Sequence, residues 1–192
     1  MKKTDEKLDP ELVTECLNGN QDTFAVLVER HQHSVYNLAY RMCGNASVAE
    51  DMAQETFIRA YRRLHQYQAN YAFKNWLLGI CANMSRSRYR RWRRNRELAQ
   101  AYVRNELISR EQHPRADAQT ATAQAGLEEA LAALPEKLRV PVILRYMESM
   151  TLEEVAATLN IKLSAVKMRL ARAKDKLLSV MQSKACLERG AP

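Results

Sequence analysis

The sequence has few of the features that build metal centres, disulfide scaffolds or membrane spans. Its 192 residues include four cysteines and four histidines, and no two cysteines form a CxxC pair. The histidines show no metal-ligand spacing relative to the cysteines. The thiols are therefore expected to be reduced and structural, and neither a metal nor another cofactor is expected. The longest hydrophobic run, around residues 76–82, is far too short to cross a bilayer. A soluble, cytoplasmic protein without membrane insertion is therefore predicted.

Acidic residues are absent from residues 74–96, which carry one lysine and seven arginines. Apolar residues at helical spacing predict one buried stripe at the start of this segment: Phe73, Leu77, Ile80 and Met84. Beyond that stripe the arginines follow at ~100° per residue, so they surround the helix axis and leave no face to bury. Tyr89 and Trp92 offer stacking surfaces for bases among them. The pattern indicates a nucleic-acid-binding helix, with a solvated, charged helix end as the alternative.

Positive charge is concentrated in a second place as well. Residues 162–176 contain six basic residues and one aspartate, whereas the whole chain has a net charge of only +8. The rest of the chain is therefore net negative. Two separate cationic elements on a mildly acidic remainder indicate two contact points on one nucleic acid.

Three helices are predicted before the arginine-rich one. The first runs from about Pro10 to Asn18 with Asp9 as its predicted cap, and the second runs from a predicted cap at Asp22 to Gly44. The third runs from a capping box at Ser47 and Glu50 to about Leu64. The third helix has a buried stripe of Ala49, Ala53, Phe57, Ala60 and Leu64. Its opposite face carries Asp51, Gln54, Glu55 and Ile58. From spacing alone, this face fits a solvated surface and a contact for a partner helix equally well.

The segment from His65 to Ala72 interrupts the helical pattern. Its aromatic and amide side chains, among them Tyr67, Asn70 and Tyr71, suit a loop that holds an unstacked base by stacking and edge hydrogen bonds. The alternative is that the tyrosines pack the loop onto the core.

Apolar periodicity weakens across residues 97–124, where alanine, glutamine and threonine accumulate. This composition is typical of a linker. The fold class predicted is all-α, with two small helical domains, residues 8–96 and 125–187, joined by a flexible linker at 97–124. At roughly 90 Å fully extended, the linker would let the cationic elements contact sites two duplex turns apart.

The segment after the linker is helical again. One helix is predicted through Leu134, and Pro135 begins the next. Pro141 either kinks that second helix or opens a separate one ending at Met147.

A short helix, a tight turn and a longer cationic helix follow. Thr151 and Glu154 form a capping box, Asn160 makes the turn, and Ser164 is predicted to cap the second helix. The outward side of that helix carries Lys167, Met168, Ala171, Arg172 and Lys174. This pattern predicts a helix-turn-helix whose second helix enters the major groove, a structural helical hairpin being the alternative.

The chain resembles a bacterial RNA polymerase sigma factor of the extracytoplasmic-function group, group IV. The motifs that carry the resemblance are VYNLAYRMCGN (residues 35–45), AEDMAQETFIRAYRRL (49–64), FKNWLLGICANM (73–84), LPEKLRVPVILRY (134–146) and TLEEVAATLNIKLSAVKMRLARAKDKL (151–177). The resemblance implies a region-2-like domain, a linker and a region-4-like domain that together bind core polymerase and direct it to promoters with a -10 and a -35 element. Stress or envelope responses are typical of the group.

The resemblance also assigns residues by position. Asp51, Gln54, Glu55 and Ile58 match the face that grips the polymerase beta-prime subunit. The loop His65 to Ala72 matches the segment that captures a flipped -10 base. Asn83 matches a position near the -10 element, and Ser87 stands four residues later, where the family often has asparagine. Arg86 and Arg90 of the arginine-rich helix are predicted to contact the -10 element with them. Lys167, Met168, Ala171 and Arg172 match the -35 reading face, and Lys174 is predicted to contact the -35 element beside them. Ser164-Ala165 and Met168 depart from the family pattern.

The partners implied are core RNA polymerase, through its beta-prime and beta subunits, promoter DNA and an anti-sigma protein, with no small-molecule substrate. No catalysis is predicted. A polymerase-independent helix-turn-helix regulator is the first alternative, but it gives no role to the face at Asp51. A nucleic-acid enzyme is the second, and it would need the carboxylates that residues 74–96 lack.

Overall fold

A computed structural model describes residues 7–84 and 126–189, with side chains through residue 179. All regular structure within these ranges is helical, so the all-α prediction is confirmed. The first range contains α1 (Asp9–Leu17), α2 (Asp22–Cys43), α3 (Ala46–Arg62), a 3-10 turn (Leu64–Gln66) and α4 (73–84). The second contains α5 (126–132), α6 (Glu136–Val142), a π-helical turn (Ile143–Met147), α7 (Leu152–Leu159) and α8 (Leu163–Arg189). The predicted linker and residues 85–96 lie outside the described residues.

Local signals set the ends of α2 and α3. Gly44 ends α2 in the left-handed region at φ 68°, as predicted. The capping box expected at Ser47 is wrong, because Asn45 caps α3 and its Oδ1 accepts a hydrogen bond from the Val48 N–H at 3.0 Å. Asn45 directly follows the left-handed glycine in an extended conformation, so α3 begins before Ser47 is reached.

The start of α1 also differs from the predicted cap. Leu8 is the N-cap residue, and its N–H donates to Glu11 Oε2 at 3.0 Å. Asp9 instead directs its carboxylate at α2. Asp22, expected to cap α2, is the first residue of that helix, and Gln21 precedes it without a side-chain cap.

The core of the first range lies where α2 packs against α1, α3 and α4. Five of its side chains are at most 1% exposed: Leu12, Leu27, Leu38, Ala60 and Phe73. Burial of each large apolar side chain contributes about 1.5 to 3 kcal/mol, so this shared core holds the four helices together. The predicted stripe of α3 faces it, which leaves the opposite side of α3 in solvent.

Pro141 lies inside α6, so the alternative in which it begins a helix is wrong. The chain continues without a break into the π-helical turn, where the hydrogen-bonding span widens. Proline removes one main-chain donor from a helix, and irregular turns of this kind are frequent beside it. Ser149 then turns the chain at φ 58° toward α7.

The helix-turn-helix has the predicted capping box and turn. The Thr151 hydroxyl accepts from the Glu154 N–H at 3.1 Å, and Glu154 Oε2 accepts from the Thr151 N–H at 2.7 Å. Asn160 is left-handed at φ 50°. The cap expected at Ser164 is wrong, because α8 begins at Leu163 and the N–H groups of Ala165 and Val166 donate to the Lys162 carbonyl oxygen.

The two described ranges also pack against each other. Arg139 is 6% exposed, and its Nη1 donates to the Met42 carbonyl oxygen at 2.8 Å. Lys74 Nζ of α4 lies 2.7 Å from Glu148 Oε2. Asn75 Nδ2, one residue further along α4, donates to Glu154 Oε1 at 2.9 Å. The first turn of α7 therefore lies against α4.

Candidate partner-binding and nucleic-acid-binding surfaces

The face of α3 opposite the core carries the predicted partner residues. Asp51 and Gln54 are exposed, and Ile58 is 39% exposed. Glu55 Oε1 accepts a hydrogen bond from Arg59 Nε at 2.7 Å, so its carboxylate is directed along the helix. The four predicted residues thus lie together on one accessible face of α3, and Ile58 is the aliphatic side chain among them.

An apolar groove of about 370 Å³ adjoins this face between α2 and α3. Its wall is formed by Phe24, Val28, Gln54, Phe57, Ile58, Tyr61 and Arg62. The Phe24 and Tyr61 rings meet edge to face with centroids 5.0 Å apart, and Tyr61 is 41% exposed. Open apolar grooves of this kind accept partner side chains. Sequence analysis missed Phe24 and Tyr61, because the α2–α3 pairing that joins them has no local sequence signal.

The loop after α3 holds its two tyrosines differently. The Tyr67 ring packs on Phe73 and Trp76, with centroids 5.2 and 5.6 Å away, and its hydroxyl donates to the Tyr71 carbonyl oxygen at 2.6 Å. Partial burial raises the pKa of the Tyr67 phenol. Tyr71 is 50% exposed, and Asn70 is exposed as well. Tyr67 therefore anchors the loop, while Tyr71 and Asn70 face solvent.

The loop forms one wall of an open cavity of about 440 Å³. The other wall comes from the start of α1 and from α2. There Asp9 accepts from Arg30 Nη1 at 2.6 Å and lies 2.8 Å from His31 Nε2. Burial lowers the pKa of His31, which favours the neutral ring. Sequence analysis missed Asp9 and Arg30 as neighbours of the loop, because they join it only through tertiary packing.

The described part of the arginine-rich segment ends with α4. Asn83 is exposed on it, while Phe73, Leu77 and Met84 are buried as the apolar stripe predicts. Ile80, the fourth member of the stripe, is half-buried. The remaining predicted -10 residues, Arg86, Ser87 and Arg90, lie outside the described residues.

The first turns of α8 present the predicted groove-facing side. All five predicted residues are exposed: Lys167, Met168, Ala171, Arg172 and Lys174. Val166 and Ala173 are fully buried on the opposite side, against the core of the second range. The exposed side of α8 is therefore cationic, and the opposite side is packed against the core. This is the arrangement expected of the second helix of a helix-turn-helix.

Family comparisons identify both halves of the chain. Residues 27–96 match the model of Sigma-70 region 2, and residues 124–177 match that of Sigma-70, region 4. These regions, with the helix-turn-helix, define the class as a sigma factor of RNA polymerase, a non-catalytic factor of transcription initiation.

Relatives narrow the class to a group. The chain is 31% identical to the ECF RNA polymerase sigma factor SigW of Bacillus subtilis, over 86% of this chain and 92% of that protein. It is 36% identical to the ECF RNA polymerase sigma factor SigE of Mycolicibacterium smegmatis, over 79% of this chain and 58% of that protein. The chain therefore belongs to the extracytoplasmic-function sigma factors, which bind core polymerase and direct it to promoters.

Solved structures share the fold. CnrH, in complex with the cytosolic domain of CnrY, has a TM-score of 0.68 at 24% identity, covering 91% of this chain and 97% of that one. RpoE in complex with the anti-sigma factor NepR, from Bartonella quintana, has a TM-score of 0.62 at 22% identity, covering 83% and 96%. Within the described ranges, no helix is long and apolar enough to span a membrane.

Proposed function

We propose that the two halves of this sigma factor divide promoter recognition between them. Residues 8–96 bind core polymerase and select and open the -10 element, residues 125–187 read the -35 element, and residues 97–124 act as the linker. The observation that carries the proposal is that each half has a buried core and one exposed face with the chemistry of its partner. The chain itself catalyses nothing and acts in the cytoplasm, where polymerase works.

The polymerase contact is assigned to the α3 face and its groove. Asp51 and Gln54 supply polar groups, and Ile58 with Tyr61 supplies exposed apolar area beside an open groove. Contacts that combine a central apolar anchor with a polar rim are typical of protein interfaces. The beta-prime subunit is the partner proposed for this face.

A double substitution tests the polymerase contact. Asp51→Ala with Ile58→Ala is expected to abolish binding in a competition assay for core polymerase and to leave the circular-dichroism melt unchanged. Glu29→Ala with Leu17→Ala is the matched control, since it removes one exposed acid and one exposed aliphatic side chain elsewhere. Unchanged affinity of the first variant, or equal loss in both, would contradict the assignment.

Capture of a -10 base is assigned to the loop that follows α3, together with Asn83. Tyr71 and Asn70 are exposed at a cavity, and Tyr67 holds the loop through its bond to the Tyr71 carbonyl. Base stacking on an aromatic ring contributes about 1 to 3 kcal/mol, which is comparable with the cost of unstacking a base. The loop is thus able to tip the balance toward strand opening.

Separate variants of the two tyrosines test the loop. Tyr71→Ala is expected to reduce permanganate reactivity of the melted -10 strand while closed-complex affinity in filter binding stays the same. Tyr67→Phe keeps the packed ring but removes the hydroxyl, and a smaller loss is expected. Opening that survives Tyr71→Ala with unchanged base preference would refute the base-capture role.

Reading of the -35 element is assigned to the exposed side of α8. Arg172→Ala is expected to weaken binding to the cognate -35 duplex by about 1 to 3 kcal/mol if its guanidinium reads a guanine edge. Lys176→Ala, at an exposed position further along the helix, is the control for general loss of charge. Equal losses on cognate and scrambled duplexes for Arg172→Ala would refute base reading.

Regulation by an anti-sigma protein is part of the proposal. One of the solved structures named above contains the sigma factor RpoE bound to the anti-sigma factor NepR, and the other contains CnrH bound to the cytosolic domain of CnrY. An envelope or stress signal that releases the partner is the expected control. Co-purification of this chain with proteins from its own cells, followed by loss of transcription on adding the captured protein to holoenzyme, tests it.

A further inference from the structure

A methionine lies among basic residues on the exposed side of α8. Met168 is in the second turn of the helix and is 48% exposed. Lys167 precedes it, and Ala171 and Arg172 follow three and four residues later, all with exposed side chains. Residues at these spacings are neighbours on the surface of a helix. Residues 163–174 contain no acid, so the charged groups of this part of α8 are all basic.

The buried back of α8 fixes the direction in which Met168 points. Val166 and Ala173 are 0% exposed and pack against the core of the second range. Successive residues turn by ~100° about the helix axis, which places Met168 roughly 140 to 160° from both of them. Ala171 is placed equally far from them, whereas Lys167 and Arg172 lie only about 100 to 120° away. The centre of the outward face is therefore apolar, with a basic side chain on each flank.

The major groove of DNA offers an apolar side chain one matching group. Base edges in that groove carry hydrogen-bond donors and acceptors, and the only methyl group among them is the one on C5 of thymine. A polar group that is covered by methionine and left without a partner costs free energy, whereas contact with a methyl group removes apolar surface from water. An apolar centre on a groove-facing helix therefore favours thymine over the other bases.

We propose that Met168, supported by Ala171, is a specificity-determining residue that reads the methyl group of a thymine in the -35 element. The inference rests on the proposed -35 role of α8 and adds the identity of one base to that role. Met168 and Arg172 are four residues apart, which is about 6 Å along the helix axis, and base pairs stack ~3.4 Å apart. The thymine is therefore expected within about two base pairs of the pair that Arg172 contacts.

Selection of promoters by holoenzyme is the first part of the test. Core polymerase with the full chain selects from DNA fragments that are randomised at the -10 and -35 elements. Wild type is expected to enrich a thymine at one -35 position beside the position whose preference is lost in Arg172→Ala. Met168→Ser is expected to lose that thymine and to keep the rest of the selected sequence. Met168→Leu, which keeps an apolar side chain, is expected to retain it.

Removal of the methyl group alone is the second part. Deoxyuridine pairs as thymidine does but lacks the C5 methyl group. Its substitution for the selected thymine is expected to weaken binding of wild-type holoenzyme about fourfold, the effect of burying one methyl group, and to leave Met168→Ser unaffected. Leu178→Ser is the matched control, because Leu178 is 47% exposed on the same helix. This control is expected to keep both the thymine and its sensitivity to deoxyuridine.

Three results would overturn the methyl-reading role. They are insensitivity to deoxyuridine at every thymine of the selected -35 element, equal sensitivity in wild type and Met168→Ser, and loss of core polymerase binding by Met168→Ser with an unchanged selected sequence. The last would assign the side chain to a protein contact. The -35 role of α8 stands in each case if Arg172→Ala alters the selected element. If no -35 sequence is enriched, or Arg172→Ala leaves it unchanged, that role itself is wrong.

Discussion

Replacement of Arg139 by methionine tests a buried guanidinium that links the two halves through one hydrogen bond and holds the end of α5 and the turn after it through two more. The guanidinium is buried and donates to three carbonyl oxygens, of Met42, Ala132 and Leu134, each at 2.8 Å. A hydrogen bond from a charged donor contributes about 1.5 to 3 kcal/mol, and the desolvation cost of the charge offsets part of the sum. Arg139→Met fills similar volume and is expected to lower the free energy of unfolding by about 3 kcal/mol.

The assay is thermal unfolding followed by circular dichroism. For a chain of this length, 3 kcal/mol corresponds to a fall of about 6 to 12 °C in Tm. Arg172→Met is the control, because Arg172 is exposed and no stability loss is expected. A fall below about 2 °C for Arg139→Met would mean that the three bonds only balance the cost of burying the charge.

Three further predictions concern buried or capped groups. Burial lowers the pKa of His31 below its ordinary 6.5, so the stability that His31 contributes is present above pH 6.5 and lost as the pH falls below that value. His31→Gln should therefore flatten the dependence of Tm on pH below pH 6.5. Thr151→Ala should cost about 1 kcal/mol in urea unfolding by removing the α7 cap. Burial raises the pKa of Cys81 to about 12, so its alkylation at pH 8 should require denaturant.

The residues that begin and end helices were the most predictable part of the fold. The glycine after α2, the capping box of α7 and the left-handed Asn160 act through their own backbone and neighbours, so the sequence predicted them. The cap of α3 was misplaced by two residues. Asn45 and Ser47 are both good caps, and the choice depends on where Gly44 ends the preceding helix.

Contacts between distant segments were not predictable. Asn75 and Glu154 are 79 residues apart. Arg139 donates to main-chain carbonyl oxygens, and because every residue has one, no side chain in the sequence marks the acceptors. Periodicity indicated which side of each helix is buried but not which helix covers it. For the same reason the Ile58 face was anticipated, whereas the groove that Phe24 and Tyr61 complete beside it was found only from the packed helices.

Run-off transcription with purified core polymerase tests the central claim most directly. A template library with randomised -10 and -35 hexamers is transcribed with and without this chain, and transcripts are sequenced to recover the selected promoters. Transcripts are expected only with the chain present, with selected sequences enriched at both elements, and they are expected to be lost with Asp51→Ala and Ile58→Ala together. Sequence-specific DNA binding by the chain without any stimulation of core polymerase would contradict the central claim.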